Sequence, residues 1–216
     1  MSLVLGLEIT PRFVRGAFLK TALRGSEMEH YAEVAIAPPS EEQSTTAPLR
    51  AAVAEVLAQG SRPPDRVIAA LDGEVASLRL IDLPLGVEKK IAEVLPGELE
   101  SLLPFEVSDA IVDYQIVSRD EINLQLMTVA TPRKNVAERL QFLRAAGVEP
   151  RELAVGAASF GGLGALLRET LSNRTVLVID VGSTSTDFAV LTNGQCTFAR
   201  TVSGGMNLVE SGRRTE

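Results

Sequence analysis

Few side chains in this 216-residue sequence can form a disulfide, a metal cage or an aromatic platform. It has one cysteine, Cys196, one histidine, His30, two tyrosines and no tryptophan. One cysteine excludes an internal disulfide, and one cysteine with one histidine makes a structural zinc site implausible. Cys196 falls in an apolar predicted strand far from His30, so we interpret it as a core residue and not as a nucleophile. The composition favours a reducing, cytoplasmic environment.

The sequence also lacks a basic surface, a signal peptide and a long apolar run. The formal net charge is −7, and no basic–aromatic pattern would release counterions from phosphates, so we expect no nucleic-acid partner. The N-terminus has no positively charged n-region. The longest uncharged stretch, residues 153–167, is too short and too rich in glycine to cross a bilayer. We therefore expect one or two globular domains that do not themselves enter a membrane.

A row of hydroxyl side chains between two apolar runs is the most informative pattern that is present. Residues 177–191 run from a predicted strand through an acid, a glycine and several hydroxyls into a second predicted strand. Such a turn can cradle a phosphate, because its N–H groups and hydroxyls converge. The candidate residues in the turn are Asp180, Gly182, Ser183, Thr184 and Thr186. The alternative is that the serines and threonines only cap a turn.

Individual roles can be predicted for several positions in and after this turn. Gly182 is expected to take a positive φ and to let the backbone approach a ligand. Asp180 ends its strand, and we expect it to hold Mg²⁺ directly or through water. Asn193-Gly194 predicts a two-residue hairpin turn into a third strand. Gly204 and Gly205 follow that strand, at the start of a predicted helix over residues 205–210, and complete the candidate phosphate site.

The order of predicted elements indicates an α/β fold. Residues 1–83 predict three strands, a helix and two further strands, which is the opening of a ribonuclease-H-like subdomain. Residues 84–150 predict a helical segment interrupted at Pro96-Gly97, two alternating strands and a strong helix, which together form a small α+β inserted domain. A helix over residues 153–167 then leads to the hairpin. We predict a discontinuous main domain, residues 1–83 with 151–216, and an inserted domain, residues 84–150.

A series of short segments occurs in a characteristic order along the whole chain. The series consists of Val4–Ile9, Leu83-Pro84, Leu102–Phe105, Val112–Tyr114, Thr128–Arg133, Leu143–Pro150, the Asp180 hairpin and Gly204-Gly205. It resembles the PilM/GspL family of the actin-like ATPase superfamily, which includes actin, sugar kinases and the cell-division protein FtsA. None of the segments is specific alone, and the resemblance rests on their order. It implies an actin-like mixed sheet with helices and a small α+β insertion.

The resemblance implies a scaffold of the bacterial inner-membrane assembly platform, cytoplasmic and peripheral to or tethered at that membrane. Implied partners are the hexameric secretion or pilus ATPase and platform proteins of the GspM/GspF or PilN kind; a homodimer stays open. We place first a GspL-like role in type II secretion, docking the ATPase to membrane components. The alternative is a PilM-like role in type IV pilus assembly, binding ATP and, in a groove between the main domain and the small insertion, the PilN N-terminal peptide. Further alternatives are an active actin-like ATPase and an FtsA-like filament former.

The first phosphate motif of the superfamily is altered in this chain. Its matching segment is Glu8-Ile9-Thr10-Pro11, in which Glu8 keeps a carboxylate, Thr10 stands where the family has glycine, and Pro11 lacks an N–H donor. Phosphoryl transfer depends on positioning, so we expect a chain that is not an enzyme. ATP and Mg²⁺ remain open as ligands of a longer form, with Glu8 and Thr10 as vestigial contacts.

The predicted insertion is rich in acids. The candidate partner-binding residues are Glu88, Glu93, Glu98, Glu100, Glu106 and Asp109. They predict a docking surface that steers a basic partner by charge. The alternative is an ordinary solvated helix face.

Overall fold

The computed structural model of the chain describes residues 1–23, 25–38 and 46–207. In chain order its strands and α-helices are β1 (Ser2–Ile9), β2 (Phe13–Ala22), β3 (Gly25–Ala35), α1 (Ala47–Ala58), β4 (Arg66–Leu71), β5 (Ser77–Pro84), α2 (Ile91–Leu99), β6 (Ala110–Arg119), β7 (Asn123–Pro132), α3 (Arg133–Ala145), β8 (Glu152–Val155), α4 (Leu163–Leu166), α5 (Arg168–Leu171), β9 (Thr175–Val181), β10 (Ser185–Thr192) and β11 (Gln195–Ser203). Short 3-10 helices cover Gly73–Val75, Leu85–Lys90, Val107–Asp109 and Gly156–Gly162. No helix of this described part is long and apolar enough to span a membrane.

The chain forms two compact units. The first contains residues 1–71 and 137–154, and the second contains residues 72–136 and the chain from Val155 onward. The predicted bounds of the inserted domain stay a prediction. Strand pairing joins β1–β4 and β8 in one sheet, whereas β5–β7 and β9–β11 each form a sheet of their own.

The first unit is built on a five-stranded mixed sheet with the order β3-β2-β1-β4-β8. β1 pairs antiparallel with β2, β2 pairs antiparallel with β3, and β4 is parallel to β1. The parallel step from β3 to β4 requires a crossover, which α1 supplies. Three antiparallel strands, a helix and a fourth strand follow each other as the sequence predicts.

The core of the first unit lies between this sheet and α1. Alternate residues of β1, such as Leu3 and Leu5, point to one face and are buried together with Val53 and Val56 of α1. Gly16 of β2 makes the close approach possible, because a Cβ there would lie 2.5 Å from Val56 Cγ1. The apolar face of α1 and the apolar face of the sheet therefore pack into one core, as their spacing in the sequence predicts.

The second unit contains two three-stranded antiparallel sheets, with the orders β5-β7-β6 and β11-β10-β9. α2 covers the first of them. The prediction that the helical segment is interrupted at Pro96-Gly97 is wrong, because α2 continues through Pro96. Ile91, Leu95 and Leu99 lie four residues apart on one helix face and are fully buried. The free energy gained by burying these side chains offsets the cost of the backbone hydrogen bond that proline cannot make.

The predicted helix over residues 153–167 is also wrong in its first part. Its first residues belong to β8, and the 3-10 helix at Gly156–Gly162 precedes the short α4. Gly156 has a φ of 31°, which interrupts any regular helix at that point. Leu153 packs against the core of the first unit, a tertiary contact that its local pattern does not reveal.

The hairpin of β9, β10 and β11 follows the sequence prediction. Asn193 and Gly194 have φ values of 53° and 79°, as a two-residue turn of this type requires. Ala189, Leu191, Cys196 and Ala199 are buried on one face, which confirms Cys196 as a core residue. Met206 and Asn207 are helical, and the rest of the predicted helix over residues 205–210 lies outside the described residues.

Candidate functional site

The turn between β9 and β10 is held by backbone hydrogen bonds to the segment that follows β11. Gly182 N–H donates to Ser185 O at 2.9 Å and closes the turn. Met206 N–H donates to Gly182 O at 3.0 Å, and Asn207 N–H donates to Ser183 O at 3.0 Å. The hairpin turn and the Gly204–Asn207 segment are therefore in direct contact, and their role as one phosphate site stays a prediction.

The glycines act differently from the prediction. Gly182 does not have a positive φ, so that prediction is wrong; Gly204 does, with a φ of 123°. Gly205 is the residue whose missing side chain is used, because a Cβ there would lie 2.5 Å from Gly182 O and 2.8 Å from Ser183 O. The sequence predicted that a ligand would approach the backbone at Gly182. In the structure it is the backbone around Gly205 that approaches the backbone of the turn.

The hydroxyl groups of the turn divide into two sets. Thr186 Oγ1 donates to Gly204 O at 2.7 Å, so its proton is used within the protein. The hydroxyls of Ser183 and Thr184 make no hydrogen bond to another residue of the described chain. Those two side chains and the exposed Asp180 are the groups of the turn that a phosphate or its metal can meet.

Asp187 lies directly opposite Asp180 in the β9–β10 pairing. Asp187 Oδ1 accepts a hydrogen bond from Thr201 Oγ1, and its carboxyl accepts a second from the backbone N–H of Ala157. Burial raises the pKa of Asp187, and the charges of Asp180 and Asp72 raise it further, against the lowering effect of the two hydrogen bonds. In the described residues no group of three or more His, Cys, Asp or Glu side chains is placed to hold a metal ion.

The sequence analysis missed the neighbours of Asp187. Gly73 and Gly156 meet at this carboxyl: a Cβ on Gly156 would lie 2.9 Å from Gly73 Cα and 3.3 Å from Asp187 Oδ1. The available signal was the position of Asp187 in β10, where it shares the buried face with Ala189 and Leu191. An acid on a buried strand face needs hydrogen-bond partners, and here Thr201 is one of them.

Glu8 and Thr10 belong to the first unit, and both are engaged there. Thr10 Oγ1 donates to Phe13 O at 3.0 Å and accepts from Phe13 N–H at 2.9 Å, so the hydroxyl closes its own turn. Glu8 Oε2 forms an ion pair with Arg15 at 3.2 Å, and Arg15 also binds Glu33 at 2.7 Å. These groups therefore do not fit a phosphate cradle, and we derive no catalytic step from them.

The six acids proposed for partner binding occupy α2 and the segments beside it. Glu88 forms an ion pair with Arg119 and is half-buried. Glu93, Glu98, Glu100, Glu106 and Asp109 are exposed. Their role in docking stays a prediction, because exposed acids occur equally on a solvated surface.

A cleft of about 890 Å³ opens in the second unit between β5 and β11. Each of these strands is at an edge of its own sheet. Pro104 and Phe105, from the segment after α2, form part of the wall. The cleft lies beside part of the predicted insertion, and its size is in the range of sites that bind ligands.

Comparison with known proteins identifies the family. A sequence model described as "Type IV pilus assembly protein PilM" matches residues 6–214. The chain belongs to the PilM family. A solved structure of a PilM–PilN type IV pilus biogenesis complex contains a similar chain, with 25% sequence identity and a TM-score of 0.76. The similarity covers 98% of this chain and 65% of the other, so this chain spans less than two thirds of that chain's length.

A second solved structure shares the fold of this PilM-family chain. It is the cytoplasmic domain of EpsL, an inner-membrane component of the type II secretion system of Vibrio cholerae. The identity is 15%, the TM-score is 0.55, and the match covers 94% of this chain and 71% of the other. The strand order and these likenesses confirm the predicted fold class, an actin-like mixed α/β architecture, and the predicted PilM/GspL family.

We predict that Gly205→Ala loosens the hairpin turn. The new Cβ would collide with the Gly182 and Ser183 backbone, so we expect a loss of about 1–3 kcal/mol in the free energy of unfolding. Amide hydrogen exchange at Gly182 and Gly204 should accelerate with it. Gly97→Ala is the matched control: nothing lies within 4 Å of a Cβ there, and alanine favours α2. Unchanged exchange in Gly205→Ala would contradict this account of the turn.

We predict that Asp187→Asn stabilises the chain at pH 7. Burial raises the pKa of Asp187 in the folded state, so the free energy of unfolding falls as pH rises through that folded pKa. Asparagine keeps the Oδ1 acceptor for Thr201, loses one of the two acceptor oxygens and removes the charge. We expect removal of the buried charge to be the larger effect, because burial is the leading cause of the raised pKa of Asp187. Thermal melting should show a higher midpoint than wild type at pH 7 and little difference at pH 3. Asp109→Asn, an exposed acid, serves as control, and an equal gain at both pH values would refute the electrostatic origin.

Proposed function

We propose that this chain is the PilM-like part of an inner-membrane assembly platform for type IV pili and that it binds the N-terminal peptide of a PilN-like protein. The observation that carries the proposal is the structural similarity to a chain of a PilM–PilN complex, which extends over 98% of this chain at 25% identity. Family membership supports the same role. In this proposal the chain lies on the cytoplasmic side of the inner membrane, and the hexameric pilus ATPase is a further partner.

This proposal reverses the order expected from the sequence, where the GspL-like role in type II secretion came first. The PilM chain is the more similar of the two relatives, at 25% identity against 15% for the EpsL domain. The 15% identity to the EpsL domain supports a common fold but no argument about partners. A PilM-like role is therefore the better supported of the two.

Peptide binding is the direct test. A synthetic peptide of the first 20 or so residues of the PilN-like protein from the same genome is titrated into the chain by calorimetry. We expect a 1:1 complex with a dissociation constant on the order of micromolar, as is usual for an extended peptide in a preformed groove. A scrambled peptide of the same composition is the control. No binding to this peptide, together with a complex with the N-terminal domain of a secretion ATPase, would favour the GspL-like role.

We further propose that the chain does not hydrolyse ATP. The support is the engagement of Thr10 in its own turn and of Glu8 with Arg15, which leaves neither group directed at a phosphate. Phosphoryl transfer depends on such positioning. We expect phosphate release by the wild-type chain to equal that of Asp180→Ala within error. Release several times above that of Asp180→Ala would overturn the proposal.

A further inference from the structure

β6 is an edge strand with little charge. It pairs only with β7 among the described strands, and its stretch Ile111–Val117 contains a single charged residue, Asp113. The edge strand β3, in contrast, carries Glu27, Glu29 and Glu33, and charges of this kind discourage pairing with another chain. A long edge of β-branched and aromatic residues favours the addition of a further strand.

The side of β6 away from β7 presents backbone groups that a further strand can use. Tyr114 N–H donates to the carboxylate of its neighbour Asp113 at 2.8 Å, so Tyr114 directs its backbone groups away from β7. Because the direction alternates along a strand, Val112 and Ile116 do the same. The regular pairing with β7 ends after Ile116, where the register shifts. These residues can therefore form a hydrogen-bonded ladder in which a partner strand replaces the Asp113 carboxylate.

Exposed apolar side chains lie along the same edge. Val112, Tyr114 and Ile116 are two residues apart and therefore lie on one face of the sheet. Val112 packs against the core that α2 covers, whereas Tyr114 and Ile116 are each 37% exposed. The core under α2 thus continues to the edge of the sheet, where a further strand would cover these two side chains.

The sequence of β6 is complementary to an antiparallel copy of itself. With a two-fold axis at Tyr114, the two tyrosines lie opposite each other and Val112 lies opposite Ile116 of the other copy. The same register brings Asp113 opposite Gln115, so that no like charges face each other. An axis one residue earlier would oppose two Asp113 carboxylates, and an axis one residue later would oppose Asp113 and an apolar side chain. The register centred on Tyr114 is therefore the favoured one.

We propose that β6 is the interface between two copies of this chain, which pair antiparallel about a two-fold axis at Tyr114. Tyr114 bonds its counterpart, and Val112 bonds Ile116 of the other copy, which gives about six backbone hydrogen bonds. The two sheets then form one six-stranded sheet. An interface made of one strand pair is small, so the dimer is weak and reversible. Each partner-binding surface is presented twice in such a dimer, and a multivalent partner gains avidity.

Disulfide formation between two different variants tests the register. In the proposed ladder Asp113 and Gln115 form a pair without backbone hydrogen bonds, with Cα atoms about 4.5 Å apart, which a disulfide can span. An oxidised mixture of Asp113→Cys and Gln115→Cys chains should give a covalent dimer on non-reducing gels, and each variant alone should give little. The native Cys196 is buried and does not compete. A mixture of Asp113→Cys with Glu27→Cys, an exposed position of β3, is the control.

Sedimentation velocity tests the dimer without a covalent bond. The dimer fraction of the wild-type chain should rise between about 5 and about 500 μM, as mass action requires for a weak interface. Tyr114→Lys sets two like charges opposite each other and should weaken association by about tenfold or more. Met28→Lys is the matched control, because Met28 is a 55% exposed apolar residue of the edge strand β3. Circular dichroism checks that both variants fold.

Three results would overturn the proposal. The first is a wild-type chain that stays monomeric over the whole concentration range. The second is a dimer that Tyr114→Lys weakens no more than Met28→Lys does. The third is a mixture of Asp113→Cys and Gln115→Cys that gives no more covalent dimer than the control mixture or than either variant alone. None of these results bears on the binding of a PilN-like peptide, so the proposed function is tested separately.

Discussion

The second unit depends on a contact that only glycine permits. Gly73 and Gly156 approach so closely that a Cβ on Gly156 would lie 2.9 Å from Gly73 Cα. Beneath them the carboxyl of Asp187 binds Thr201 and the N–H of Ala157. Strands β10 and β11 and two 3-10 helices are thereby joined at one point. Burial raises the pKa of Asp187, so keeping this carboxylate ionised at the junction lowers the stability of the folded chain.

This junction determines the shape of the cleft as well. Thr201 contributes to the junction and also lines the cleft between β5 and β11. Gly73 and Glu74 belong to one 3-10 helix, so the helix that contacts Thr201 also supplies an acidic residue to the cleft wall. Packing at the junction and the lining of the cleft thus involve the same few residues.

Local patterns predicted much of the fold, because they depend on neighbours in sequence. The hairpin turn at Asn193-Gly194 needs only two positive φ values, and the strands need only alternation. The failures all involve tertiary contacts. Pro96 stays within α2 because distant core residues bury its helix face, and Gly182 does not need a positive φ because Gly205 supplies the close approach. The hairpin turn follows from its sequence. The pairing of Asp187 with Thr201 does not, because it depends on a register shift between Val190 and Leu191, and Ala157 is distant in the chain.

The first turn of the chain, between β1 and β2, is closed by its own threonine. A glycine at position 10 would lack the hydroxyl that accepts from Phe13 N–H, and it would leave that N–H open to an anion. Thr10 instead gives its hydroxyl to Phe13 as both donor and acceptor, and its own N–H donates to Phe13 O at 2.9 Å. The Thr10 hydroxyl and the N–H groups of Thr10 and Phe13 are thus engaged within the protein. A turn closed in this way needs no ligand, and this supports the proposal that the chain does not hydrolyse ATP.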